Sequence, residues 1–162
     1  MTNSRTKILS RANLRTRLAE HRQRGQRIVL ANGCFDMLHV GHVRYLAGAR
    51  REGDVLVVAV NSDASTRQLK GAGRPIMPAE ARAELVAALD SVDYVVIFDE
   101  PDVRALLREL SPSVHAKGTD YTMESVPEGD EAAKLGIRVA IVGDAKQHST
   151  RDLLARIREA NG

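Results

Sequence analysis

The chain has 162 residues, the length of one ordinary domain, and its 43% apolar content is enough for a packed core and too high for a disordered chain. There is no tryptophan, and two phenylalanines with three tyrosines supply the only other large rings, which argues against a single-stranded nucleic-acid binder built on stacking platforms. The formal charge of +3 divides unevenly: residues 1–27 hold eight basic side chains against Glu20 alone, a net +7, while residues 28–162 hold 16 basic and 20 acidic groups, a net −4.

In chain order, the basic residues open an N-terminal arm over 1–26, with a helix over 11–23 that carries Leu14 and Leu18 on one side and arginines elsewhere. The body over 27–162 then alternates two patterns. Short, nearly all-apolar runs predict strands over 27–31, 55–61, 94–98, 113–116 and 138–142, the look of strands buried on both faces of a parallel sheet. Helical patterns lie between them at about 40–52, 63–69, 79–89, 102–110 and 129–135, and a last one at about 149–160. Pro78 and Pro101 mark helix starts, and Ser149 or Thr150 can cap the final helix. Strand and helix in alternation predict right-handed crossovers and an α/β fold, a Rossmann-like three-layer sandwich on a five-stranded parallel sheet. The stretch 118–129 is the least regular, and no linker divides the body.

Cys34 is the single cysteine, so no internal disulfide forms, which fits a reducing compartment. Residues 1–20 lack the continuous apolar stretch of a signal peptide, and the longest apolar run, Val55 to Val60, is far too short to cross a bilayer. The expectation is a soluble, cytoplasmic protein with neither a membrane nor a nucleic acid as partner. A body of net negative charge must bind phosphates, if it does, through specific residues rather than a bulk field.

The richest segment is Ala31-Asn32-Gly33-Cys34-Phe35-Asp36-Met37-Leu38-His39-Val40-Gly41-His42, which runs off the first strand into the first long helix of the body. Ligands of such sheets sit beyond the carboxyl ends of strands, where helix N-termini present free N–H groups. Two histidines at i and i+3 share a helical face there. Gly41 between them removes a side chain that would block close approach of a ligand to the backbone. Two imidazoles and a helix dipole suit negative charge developing on a phosphoryl group. On the residues alone, two other chemistries stay open: a metal held by Cys34, His39 and His42 with Asp36, and a Cys34 thiol nucleophile.

The pattern Gly33-Cys34-Phe35-Asp36-x-Leu38-His39-x-Gly41-His42 resembles the signature of the cytidylyltransferase-like branch of the HIGH-motif nucleotidyltransferases. Within that branch the chain is most similar to the adenylyltransferases that make ADP-heptose, over about residues 27–160. Further blocks carry the likeness in order: Val60-Asn61-Ser62-Asp63, Lys70-Gly71 with Arg74-Pro75-Ile76, Arg82, Val92-Asp93-Tyr94-Val95-Val96, Lys117-Gly118-x-Asp120-Tyr121, and His148-Ser149-Thr150, the last preceded by Gln147 at the start of the final helix. One departure is Arg151, which stands where this family often has another small hydroxyl residue.

The resemblance implies transfer of an adenylyl group from ATP to D-glycero-D-manno-heptose 1-phosphate, giving ADP-heptose and pyrophosphate for lipopolysaccharide core synthesis. It implies His39, His42 and Lys70 as catalytic groups, and Gly33, Cys34, Phe35, Gly41, Lys117, Gly118, Ser149 and Thr150 with the two histidines around the nucleotide. Asp36, Asp63, Lys70, Arg74, Asp120 and Tyr121 would meet the acceptor. Mg²⁺ would bridge phosphates without a dedicated protein metal site. The resemblance also implies a homo-oligomer, dimer or higher. One domain uses up the length, so the sugar kinase often fused to such enzymes is expected to be a separate protein. The alternatives are a cytidylyltransferase acting on glycerol 3-phosphate or a similar polyol or amino-alcohol phosphate, and a non-catalytic nucleotide-binding module.

Overall fold

A computed structural model describes residues 3–145 and 148–162. Strands β1 (Ile28–Gly33), β2 (Val55–Asn61), β3 (Tyr94–Phe98), β4 (Val114–Gly118) and β5 (Arg138–Val142) form one all-parallel sheet in the order β3-β2-β1-β4-β5. Among the described residues, seven α-helices accompany them: α1 (Arg11–Gln23), α2 (Val40–Arg50), α3 (Asp63–Lys70), α4 (Ala79–Ala87), α5 (Arg104–Leu110), α6 (Gly129–Lys134) and α7 (Thr150–Ala160). The Rossmann-like α/β fold expected from the alternating patterns is the fold observed.

The period-2 alternation of each strand builds two cores. Val29 and Ala31 of β1 face Leu46 and Ala49 of α2 and Ala83, Val86 and Ala87 of α4. Ile28 and Leu30 face the other way, toward Leu14 and Leu18 of α1 and Leu106, Leu107 and Leu110 of α5. Leu14 and Leu18 are wholly buried; each such leucine contributes about 1.5–3 kcal/mol. The basic N-terminal segment is therefore docked on the body. Its arginines meet acidic groups there, Arg11 pairing with Glu100 and Glu109 and Arg15 with Glu109. A short 3-10 turn over Ser4–Lys7, ending in a bridge from Ile8 to Val95, lies outside the sequence expectation.

Two strand boundaries differ from expectation where they matter. β1 does not stop at residue 31: Asn32 and Gly33 still pair with Ala59 and Val60. β4 continues through Lys117 and Gly118, which pair with Ile141 and Val142. Polar and glycine residues hid both extensions, because a strand end at the rim of a sheet need not be apolar. At the other edge, α5 begins at Arg104 rather than 102, since the Asp102 carboxylate takes the Arg104 N–H at 3.0 Å and forms a turn first. Strand order reverses between β1 and β4, so a crevice opens at their carboxyl ends.

Candidate active site

That crevice is a cleft of about 1010 Å³ lined by Asn32–Asp36, His39, Gly41, His42, Lys70, Arg74, residues 117–121 and the start of α7. Nearly all the residues expected to bind substrate converge there from sequence-distant elements.

The two histidines are fixed by the helix they begin. His39 is the N-cap of α2, and its Nδ1 accepts the Gly41 N–H at 3.1 Å. His42 reaches back, its Nδ1 accepting the His39 N–H at 3.3 Å. This is a capping box made with imidazoles instead of a hydroxyl and a carboxylate. The rings stack with centroids 3.9 Å apart. Each Nδ1 accepts from a backbone N–H, so the single proton of each neutral ring sits on Nε2, an available donor on a cleft-lining residue.

Burial pushes His42 down to about 4, reinforced by the charges of His39 and Lys70 and opposed by Asp120. Burial also lowers His39, with the neighbouring His148 acting in the same direction. Both rings are thus neutral at pH 7. A group whose folded pKa is depressed binds its proton more readily unfolded, so stability is lost as pH falls from 6.5 through 4. Denaturant midpoints are expected to drop across that window, and His42→Gln is expected to flatten part of the drop. An unchanged slope in His42→Gln would contradict the assignment.

Gly41 has a second reason beside the expected one. A Cβ there would lie 2.9 Å from His39 Cε1 and 3.0 Å from its Nδ1. The glycine makes room for the folded-back His39 ring rather than for ligand approach alone. Gly41→Ala is expected to displace that ring and lower turnover about 10-fold to 100-fold. Circular dichroism should stay native; turnover within twofold of wild type would refute it.

Phe35 adopts φ of +50°, a left-handed conformation, and its buried ring packs on His42 with centroids 5.1 Å apart. Its ring supports the His42 ring. The Asp36 carboxylate is likewise turned to its own chain: Oδ1 accepts the Ile76 and Met77 N–H groups at 2.7 and 3.1 Å, and Oδ2 pairs with Arg74. Burial pushes that carboxyl up, and these partners outweigh it, leaving it below the ordinary carboxylate range. Asp36 therefore anchors the loop that carries Arg74 to the cleft.

Asp63 is not among the residues lining the cleft; its Oδ1 accepts from Arg82 Nη2 at 2.8 Å. Lys70, exposed at the end of α3, does line the cleft, and His42 senses its charge. Lys117 donates to Asn32 Oδ1 at 3.3 Å and sits 4.5 Å from the centre of the Tyr121 ring. Ser149 caps α7 by accepting the Asp152 N–H at 3.1 Å, and Thr150 opens the helix beside it. Gln147 lies outside the described residues. Sequence reasoning missed the roles of Asn32, which lines the cleft, and of Arg82, which does not line it but ties down Cys34 and Asp63. Arg82 stands in a quoted block, but nothing local shows that it is wholly buried.

An α/β sheet whose switch point carries paired histidines at a helix start has the architecture of a nucleotide-transferring domain. The cytidylyltransferase-like family profile matches residues 30–150, and the chain belongs to that family. Among curated relatives, the "Bifunctional protein HldE" of Syntrophotalea carbinolica is 47% identical over 152 residues, 94% of this chain and 31% of the relative. That of Geotalea uraniireducens is 51% identical over 135 residues, 83% of this chain and 28% of the relative. The chain spans under a third of the length of these two relatives. The crystal structure of a lipopolysaccharide core biosynthesis protein from Thermoplasma volcanium superposes with a TM-score of 0.65 at 28% identity, covering 75% of this chain and all of its own.

Proposed function

We propose that the chain is an adenylyltransferase that moves AMP from ATP to D-glycero-D-manno-heptose 1-phosphate, releasing pyrophosphate and forming ADP-heptose. The observation that carries the reading is the pair of tautomer-locked histidines, each leaving Nε2–H as a donor on a cleft-lining ring. The sugar phosphate oxygen attacks the α-phosphorus in line, a new P–O bond forms, and the bond to the bridging oxygen breaks. The nucleophile is already an anion at neutral pH, so no general base is needed, and positioning with charge stabilisation does the work. His39 and His42 donate to the α-phosphate and the departing bridge. Lys70, Arg74 and Lys117 neutralise the remaining charge, and the Ser149–Thr150 helix start receives the outer phosphates.

Magnesium enters this reading as part of the substrate, MgATP. Among the described residues there is no group of three or more His, Cys, Asp or Glu that could cage a metal, and the Asp36 carboxylate is engaged by its own loop. Such a donor set fits an ion held mainly by phosphates and water, where it neutralises phosphate charge.

Heptose 1-phosphate as acceptor is supported by the Lys117-Gly118-x-Asp120-Tyr121 block and by the likeness to the lipopolysaccharide core biosynthesis protein of Thermoplasma volcanium. The test is pyrophosphate release with ATP and CTP against a panel of phosphorylated acceptors. ATP with heptose 1-phosphate is expected to be the productive pair. Turnover only with CTP and glycerol 3-phosphate would overturn the choice of substrates, and ATP binding without turnover on any acceptor would overturn the enzyme reading.

A further inference from the structure

Two ionisable side chains with no part in the transfer step lie behind the cleft-lining Lys117: Glu128 beside its ammonium, and His115 against Glu128. His115 is 0% exposed, Glu128 2% and Lys117 5%. Glu128 Oε2 lies 3.5 Å from His115 Nε2 and 3.8 Å from Lys117 Nζ.

The proton inventory of this trio is constrained. His115 Nδ1 lies 3.2 Å from the Leu30 carbonyl oxygen, which can only accept, so Nδ1 carries a hydrogen. A neutral ring would then turn the Nε2 lone pair on the Glu128 carboxylate. Among the described residues, His115 Nε2 and Glu128 Oε2 have no other hydrogen-bond partner, so two buried acceptors would face each other unsatisfied. A proton between them removes both deficits. The Lys117 ammonium beside the same oxygen favours the ionised carboxylate, which assigns that proton to His115.

Glu128 titrates accordingly. Burial pushes its carboxyl up, and the His115 contact and the Lys117 charge outweigh burial, holding it below the ordinary carboxylate range. The other titratable groups acting on the trio are Tyr45, Tyr121 and Asp102. Burial raises both tyrosines, so they add no charge. One buried carboxylate thus serves two cations, and the one that lines the cleft is Lys117.

We propose that Glu128 and His115 are positioning residues: a proton-bridged pair that holds the Lys117 ammonium at the cleft floor with its charge only partly neutralised, so that a phosphate of the ligand completes the balance. The proposal rests on the nucleotidyl-transfer reading for the identity of that ligand.

Glu128→Gln keeps the shape and removes the charge. It is expected to weaken MgATP binding about tenfold in calorimetry. The loss should grow from pH 7 to 9, because a buried lysine without its carboxylate sheds its proton. In a Lys117→Met background, Glu128→Gln should have no further effect. Additive effects of the two substitutions, no pH slope in Glu128→Gln, or unchanged MgATP binding in Lys117→Met would each overturn the proposal. If Glu128→Gln does not fold, Glu128→Asp, which keeps the charge and shortens the reach, takes its place in the cycle.

Nitrogen NMR of the wild-type chain supplies an independent readout. One imidazole carrying a hydrogen on each nitrogen, with its Nε2 hydrogen facing a carboxylate, is expected, and none would overturn the bridge. Binding and NMR readouts do not depend on turnover, so a chain that transfers nothing to any sugar phosphate would sink the transfer reading while these measurements still judge the trio.

Discussion

His42→Ala is expected to lower turnover by about 10²–10³, equivalent to ~3–4 kcal/mol of lost transition-state stabilisation, the usual cost of removing one preorganised donor. The expectation follows from what the ring does at each nitrogen. Nδ1 accepts the His39 N–H at 3.3 Å, which fixes the ring and places the proton on Nε2. Burial keeps the ring neutral, so the donor is present throughout the neutral range. Removing the ring also leaves the His39 N–H without its cap and Phe35 without its ring contact, costs of about 1 kcal/mol in stability. The protein should therefore fold, bind ATP and fail to transfer. A folded His42→Ala protein with wild-type turnover would remove the histidines from the mechanism.

Arg82→Met is expected to have the largest effect on stability. Arg82 is wholly buried, and its guanidinium donates to Met77 O at 2.9 Å, Cys34 O at 2.6 Å, Asn61 O at 2.7 Å and Asp63 Oδ1 at 2.8 Å. These acceptors lie after β1, at the end of β2, at the start of α3 and in the loop before α4, the segments that carry the histidine motif and Arg74. Methionine fills similar volume but strands one buried and two partly buried carbonyls, which costs ~3–5 kcal/mol. Against a typical total of ~5–15 kcal/mol, that is a large fraction. The melting temperature is expected to fall by about 10 °C, at ~2–4 °C per kcal/mol for a chain of this size. Arg82→Lys should recover little, since an ammonium cannot reproduce the planar fork. A melting temperature within 2–3 °C of wild type in Arg82→Met would show that Arg82 does not tie these segments together.

The sheet was legible because its signal is repeated. Val55–Asn61 of β2 is buried along its whole length, and a run of valines states that plainly. Strand ends were less legible, because Asn32, Gly33, Lys117 and Gly118 pair in the sheet with residue types that also make loops. The histidine motif was visible as chemistry, yet its capping geometry was not, because histidine is an unusual N-cap. At Gly41 a glycine in sequence does not tell room for a ligand from room for the His39 ring, which lies nearest to it.

Asp36 and Asp63 show a deeper reason. A carboxylate beside a binding motif looks the same in sequence whether it touches substrate or holds a neighbouring arginine, and here one holds Arg74 and the other Arg82. His115 and Glu128 meet only because the chain between β4 and α6 folds back on the sheet, which no spacing rule reports.

Net charge was likewise a poor guide to where the cleft cations lie. The +7 segment packs arginines against Glu100 and Glu109 of the body, while Lys70, Arg74 and Lys117 reach the cleft from three separate segments. The measurement that bears most directly on the central claim is the fate of label placed separately on the α- and γ-phosphorus of ATP during incubation with heptose 1-phosphate. Direct adenylyl transfer predicts α-label in the sugar nucleotide and γ-label in pyrophosphate. The opposite partition, with γ-label on the sugar and α-label left in ADP, would contradict it.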